Sequence, residues 1–216
     1  MSIDPIASRL TADGVAYAPE IASAARRHGL DPELLAAVAA QETGGPGSNA
    51  GRNVVGDGGH GRGLFQIDDR WHPFASTPAA MDPGQNADYA AGMISGLLKR
   101  YRGDVHEALS AYNAGSPTAT GTRTRWSDGS DPGYADSVMR HYERLTGEPA
   151  QASAIAESGE TVASVGALQN AAQRLPPMLP HSLSAPSGEL HTAHAYHRQS
   201  TDYLSLLSDD TDETNS

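Results

Sequence analysis

Glu42, Asp57 and Asp68 are three carboxylates close together in the chain whose setting could do acid–base chemistry. Cleavage of a glycosidic bond calls for one carboxyl group that stays protonated near neutral pH and a second that is ionised. Glu42 suits the protonated role. It lies four residues beyond Val38 and seven beyond Leu35, so on a helix it shares their apolar face. Desolvation there opposes ionisation, and the negative end of the helix dipole opposes it further. The ordinary alternative is a helix-end glutamate that reaches solvent or an arginine, since Glu is rarely buried. Asp57 and Asp68 flank a glycine-rich run and are the candidates for the ionised partner.

These side chains need elements to position them. Asp31-Pro32 supplies an N-cap and a first helical position where proline's missing donor costs nothing, and Gly44-Gly45-Pro46 ends the helix. The run from Gly56 to His72 reads as a Gly-rich turn leading into a strand over Leu64–Ile67. Leu64, Gln66 and Asp68 would then share one face and Phe65 and Ile67 the other. The stretch from Gly44 to Gly63 is long for a structureless connection, which favours a functional surface; His60 within it is read as an ordinary polar residue. Other helices are expected from about Ala18 to His28 with Ile21 and Ala25 inward, from Asp82-Pro83 through Leu98, from the Asp104 cap to Asn113-Ala114-Gly115, and through Val138 and Tyr142 to Gly147.

The Gly56–His72 run resembles the pattern of goose-type lysozymes and soluble lytic transglycosylases: Gly-Asp, a Gly-rich turn, Gly-Leu-Met-Gln-Val-Asp, a basic residue and His. Phe65 stands where Met is usual and Ile67 where Val is usual. Ala111-Tyr112-Asn113-Ala114-Gly115 is similar to a second signature of both groups, and Tyr134-Ala135-Asp136-Ser137-Val138 resembles their final Tyr-containing helix. The resemblance covers about residues 17–147. It implies a mainly α (α+β, lysozyme-like) fold, with a small β-hairpin edging the substrate cleft, and cleavage of the β-1,4 bond between N-acetylmuramic acid and N-acetylglucosamine. Glu42 would be the general acid. Gln66, His72, Tyr112, Asn113 and Tyr134 would bind the glycan, with Tyr112 beside the acid. Hydrolysis by an Asp-activated water is the favoured outcome, because both aspartates are present. The alternatives are a lytic transglycosylase giving 1,6-anhydro products, a chitin-cleaving enzyme, and a virion or secretion-machine module that binds or loosens wall.

Composition bounds the rest. The chain has 216 residues, a formal net charge of −11 and no cysteine. That charge argues against nucleic acid as a partner, and the absence of thiols excludes a disulfide framework and a thiol nucleophile. No run of about 18 apolar residues spans a membrane, and the N-terminus does not read as a signal peptide. Cytoplasmic synthesis with phage, virion or injection-type delivery to the cell wall is therefore expected. Residues 1–16 are read as an arm, 17–147 as the catalytic domain and 148–216 as an acidic, Ala/Ser/Pro-rich, largely flexible tail. The tail could form a short helix over 162–175 and could dock on a virion or secretion-machine component. His191, His194 and His197 recur every third residue without a supporting Cys or carboxylate pattern, so neither a metal site nor a cofactor is assigned.

Overall fold

Three Asp-Pro pairs start three helices. In a computed structural model that describes residues 4–147, Asp4, Asp31 and Asp82 act as N-caps of α1 (Pro5–Ala12), α3 (Pro32–Ala39) and α4 (Pro83–Arg100), each with proline at the first helical position. The Asp31 carboxylate accepts from the N–H groups of Glu33 (2.8 Å) and Leu34 (3.3 Å). Asp104 caps α5 (Val105–Ala114) by accepting from the Glu107 N–H at 2.9 Å. Between these lie α2 (Ala18–His28) and, last, α6 (Tyr134–Thr146). Within the described residues the expected helices are all present. A further one is not as expected: residues 5–12, read as part of an arm, form α1 and bury Ala7 and Leu10. Asp4-Pro5 carried the same start signal as the other two pairs, and the buried Leu10 makes α1 part of the core.

Helix α3 is the centre of the packing. Leu34 to Ala39 are all buried, so it is covered on every side, by α1, α2 and α6 among others. A hydrogen bond from the Tyr142 hydroxyl to the Asp31 carboxylate (2.8 Å) ties α6 to its start. The other end departs from the expected α-helical terminus. From Ala40 to Gly44 the chain widens into a π turn, closed by the Gly45 N–H donating to the Ala40 carbonyl at 3.0 Å. Such turns occur frequently at functional sites.

The expected hairpin is a three-stranded antiparallel sheet, β1 (Val54–Gly56), β2 (Gly61–Gly63) and β3 (Ile67–Asp68), in that order. Val55 pairs with Arg62, and Arg62 with Ile67. The alternating strand over Leu64–Ile67 does not form. Leu64–Gln66 is instead the turn between β2 and β3, with Leu64, Phe65 and Ile67 all buried, because the sheet is pinned from one side by α4. The pin is Asn86, which is fully buried. Its Oδ1 accepts from the Phe65 N–H (2.8 Å), and its Nδ2 donates to the carbonyls of Arg62 (3.0 Å) and Ala80 (2.9 Å). Gly63 is held at φ 76° against this contact, and a Cβ there would lie 2.5 Å from the Ala80 oxygen. The fold is thus mainly helical with a small sheet at its edge. Among the described residues no helix is long and apolar enough to cross a membrane. The possible helix over 162–175, the tail and its histidines lie outside the described residues.

Candidate active site

The π turn, the sheet and α5 meet at a cleft of about 330 Å³, lined by Glu42, Asp57, Gln66, Asp68, His72, Tyr112 and Asn113 among others. Seven of the eight residues expected in the site are therefore neighbours around one cavity. The eighth, Tyr134, stands behind it, its hydroxyl donating to Glu42 Oε1 at 2.6 Å. Burial pushes the Glu42 carboxyl up to about 7, and the Tyr134 hydrogen bond, which favours the ionised form, opposes this only in part. The π turn delivers Glu42 to the cleft between two anchored neighbours. Thr43 Oγ1 reaches the carbonyl oxygens of Ala39 (3.2 Å) and Leu64 (3.1 Å) and accepts from the Arg52 N–H (2.7 Å). Gln41 is bonded on the other side, to Thr124 and Ser137.

The aspartates are in a different electrostatic state. Arg70 forms ion pairs with both Asp57 and Asp68, bonding the latter through Nε at 2.9 and 3.0 Å, while its backbone N–H donates to Asp68 Oδ1 at 2.8 Å. Partial burial works against ionisation of Asp68, but the Arg70 hydrogen bonds and charge outweigh it and hold this carboxyl below its ordinary range. The same pairing, first with Asp68, pushes the Arg70 guanidinium pKa up. Asp57 lies between glycines and is clasped by Arg70, with a left-handed backbone at φ 45°. The sequence pattern marked this arginine only as the basic residue before His72.

The remaining liners are fixed by their surroundings. Gln66 also holds a left-handed backbone (φ 48°), and its Nε2 donates to the carbonyls of Val54 (3.1 Å) and Gly63 (2.8 Å). Its Oε1 fills the space where Cβ atoms would stand on Gly56 and Gly61, so those glycines make room for this side chain. His72 Nδ1 is 3.1 Å from the Tyr89 hydroxyl, and burial pushes its pKa down, against the Asp68 charge. The Tyr112 hydroxyl donates to the Phe65 carbonyl (3.3 Å), and Asn113 Oδ1 accepts from the Thr122 N–H (2.8 Å). Met93 and Thr122 line the cleft too and were not anticipated, since neither belongs to a local pattern pointing at chemistry. Among the described residues His60, Asp68 and Asp69 bring possible metal-ligating atoms within 4.8 Å of one another. Arg62 and Arg70 already bond these two carboxylates, so the positive charge a cation would supply is in place.

A lysozyme-like scaffold with a half-buried, proton-retaining glutamate at a cleft defines a class of glycan-cleaving enzymes. Residues 19–128, half of the chain, match the family described as the transglycosylase SLT domain, and the chain belongs to that family. The lytic transglycosylase and lysozyme-like membership expected from the motifs, and the enzyme class with it, are borne out. Over 129 residues the chain is 31% identical to a protein named "Transglycosylase" from Enterobacteria phage PRD1, covering 59% of this chain and 43% of that protein. The chain therefore spans less than half the length of this curated relative. No solved structure matches the chain.

Proposed function

We propose that the protein is a lytic transglycosylase of peptidoglycan and that Glu42 serves in turn as acid and base. The protonated carboxyl donates to the glycosidic oxygen between N-acetylmuramic acid and N-acetylglucosamine as that bond breaks. The carboxylate so formed takes the proton of the muramyl C6 hydroxyl, whose oxygen attacks C1 and closes a 1,6-anhydro ring. Atoms balance without water, and Glu42 ends protonated as it began. The observation that carries this reading is Arg70. It pairs with both Asp57 and Asp68 and favours the ionised form of Asp68, leaving Glu42 as the cleft carboxyl whose surroundings favour a proton. Gln66, Asn113, Tyr112 and His72 would then hold the sugars, and Tyr134 would orient the acid. The name of the phage relative supports the same chemistry and fits a phage-type route to the wall, with the tail as a possible dock for a virion or secretion-machine partner.

Hydrolysis, the outcome favoured from the motifs, has one observation on its side: both aspartates line the cavity that Glu42 lines. An inverting hydrolase would need one of them as a base, with the carboxyl groups roughly 6.5–9.5 Å apart around a water. Mass spectrometry of digested peptidoglycan separates the two. Transglycosylation gives products one water lighter and inert to borohydride, whereas hydrolysis gives reducing ends. Anhydro products that persist in Asp57→Asn and Asp68→Asn proteins support our reading. Reducing products that vanish with either substitution would replace it with a hydrolase. Turnover of purified chitin oligomers but not peptidoglycan would point to the chitin-cleaving alternative, and no turnover of either to a wall-binding module.

A further inference from the structure

Gln41, next to the acid in the chain, uses both ends of its amide. Its Nε2 donates to Thr124 Oγ1 at 2.8 Å, and its Oε1 accepts from Ser137 Oγ at 2.6 Å. Ser137, fully buried on α6, accepts in turn from the Trp126 indole N–H at 3.0 Å. The donors therefore run one way, from Trp126 to Ser137 to Gln41 to Thr124, which fixes the amide's orientation as well as its position. Trp126 is itself held by ring contacts. The Arg140 guanidinium lies 5.3 Å from its ring centroid and the buried His141 ring 4.9 Å away. Arg140 also bonds Asp128 (3.0 Å) and Ser130 (2.8 Å) on the same loop. That loop carries Thr122 into the cleft, opposite the turn that carries Glu42.

We infer that Gln41 is a positioning residue, joining the Glu42 turn to the Thr122–Trp126 wall of the cleft so that acid and wall form one rigid unit. A π turn interrupts the regular helical ladder, so Glu42 draws its orientation from what anchors its neighbours. Thr43 anchors the turn to the β2–β3 connection, and Gln41 anchors it to the loop and α6. The inference rests on Glu42 being the acid, but it does not depend on whether water or the C6 hydroxyl completes the reaction.

The test uses the full-length protein, soluble muropeptide oligomers as substrate, and three readouts: kcat, KM and the alkaline limb of the pH profile. The titratable groups lining the cleft with Glu42 are Asp57, Asp68, His72 and Tyr112, with Tyr134 bonded to it, and none belongs to the relay. Burial and the Arg144 charge push His141, behind Trp126, down to about 4, so it stays neutral across the limb. Gln41→Met keeps the side chain's length and removes both bonds. We expect kcat to fall tenfold or more with KM changed less than threefold. The limb should move to lower pH as a loosened Glu42 meets water. Thr124→Val should behave similarly, Thr124→Ser should stay within twofold of wild type, and Thr124→Val added to Gln41→Met should cost no more than a further twofold. A folded Gln41→Met protein with wild-type kcat and limb overturns the inference. So does a kcat loss with an unmoved limb and Thr124→Ser as damaging as Thr124→Val, which marks a merely structural role. Should Gln41→Met fail to fold, the Thr124 pair decides alone. Full activity of a folded Glu42→Gln protein would instead tell against Glu42 as the acid.

Discussion

Glu42 differs from the other cleft carboxylates only through its surroundings. Half-buried, desolvated and facing a tyrosine hydroxyl, it keeps its proton up to about pH 7, whereas Asp68, beside an arginine, gives its proton up early. Glu42→Gln should keep the fold and lose cleavage by about 10²–10⁴-fold, because the amide can still accept from Tyr134 but cannot donate a catalytic proton. The same substitution should change the pH dependence of stability. In the folded state the Glu42 pKa lies above its ordinary 4.5, so the wild type loses stability as pH rises from about 4.5 through 7. The Gln variant escapes that loss and should gain about 1–3 kcal/mol relative to wild type at pH 8 compared with pH 4, measured by chemical denaturation at both. Tyr134→Phe tests the opposing influence. The hydroxyl favours ionised Glu42, so its removal should move the alkaline limb of activity to higher pH, with a lower plateau because the acid is less well held.

At the scale of elements, the site is the meeting of a π turn, a three-stranded sheet and the loop after α5, each fixed to a helix by a polar side chain. Asn86 on α4 pins the sheet, and Ser137 on α6 bonds both Gln41 of the π turn and Trp126 of the loop. Helix α1 belongs to this framework. Leu10 is fully buried, and Leu10→Ala should cost about 2–5 kcal/mol in unfolding free energy. A loss below about 0.5 kcal/mol would restore the reading of residues 1–16 as an arm.

At the scale of the whole molecule, the described helices share one buried core. Val138, Tyr142 and Leu145 of α6, the last described helix, are buried with the rest. A chain ending after Gly147 should therefore keep its melting temperature within a few degrees and its turnover of soluble oligomers. Residues 148–216, rich in acids and with Arg174 and Arg198 as their only Lys/Arg, are poor in the apolar surface that offsets ordering entropy. Loss of folding on truncation would extend the domain past Gly147.

Much of this architecture is legible in local chemistry. Asp-Pro pairs mark helix starts, apolar spacing marks buried faces, and the sequence places Glu42 at the end of the helix that buries Leu35 and Val38, although the π turn there was not legible. Such signals are complete within a few residues, because a cap or a helical face is made by near neighbours. The α-helix missed at residues 5–12 carried its signal too, in Asp4-Pro5. Other features depend on groups brought together from afar. The Tyr134 hydroxyl on Glu42, the Asn86 contact that turns Leu64–Gln66 away from a strand, and the joining of Gln41 to Thr124 and Ser137 all bring together residues that are far apart in the chain, whereas Arg70 reaches Asp57 and Asp68 within the same short run. A carboxylate's protonation depends on which charges and hydrogen bonds stand within a few ångströms of it. The chain therefore names the three carboxylates, and the tertiary structure determines which of them holds a proton.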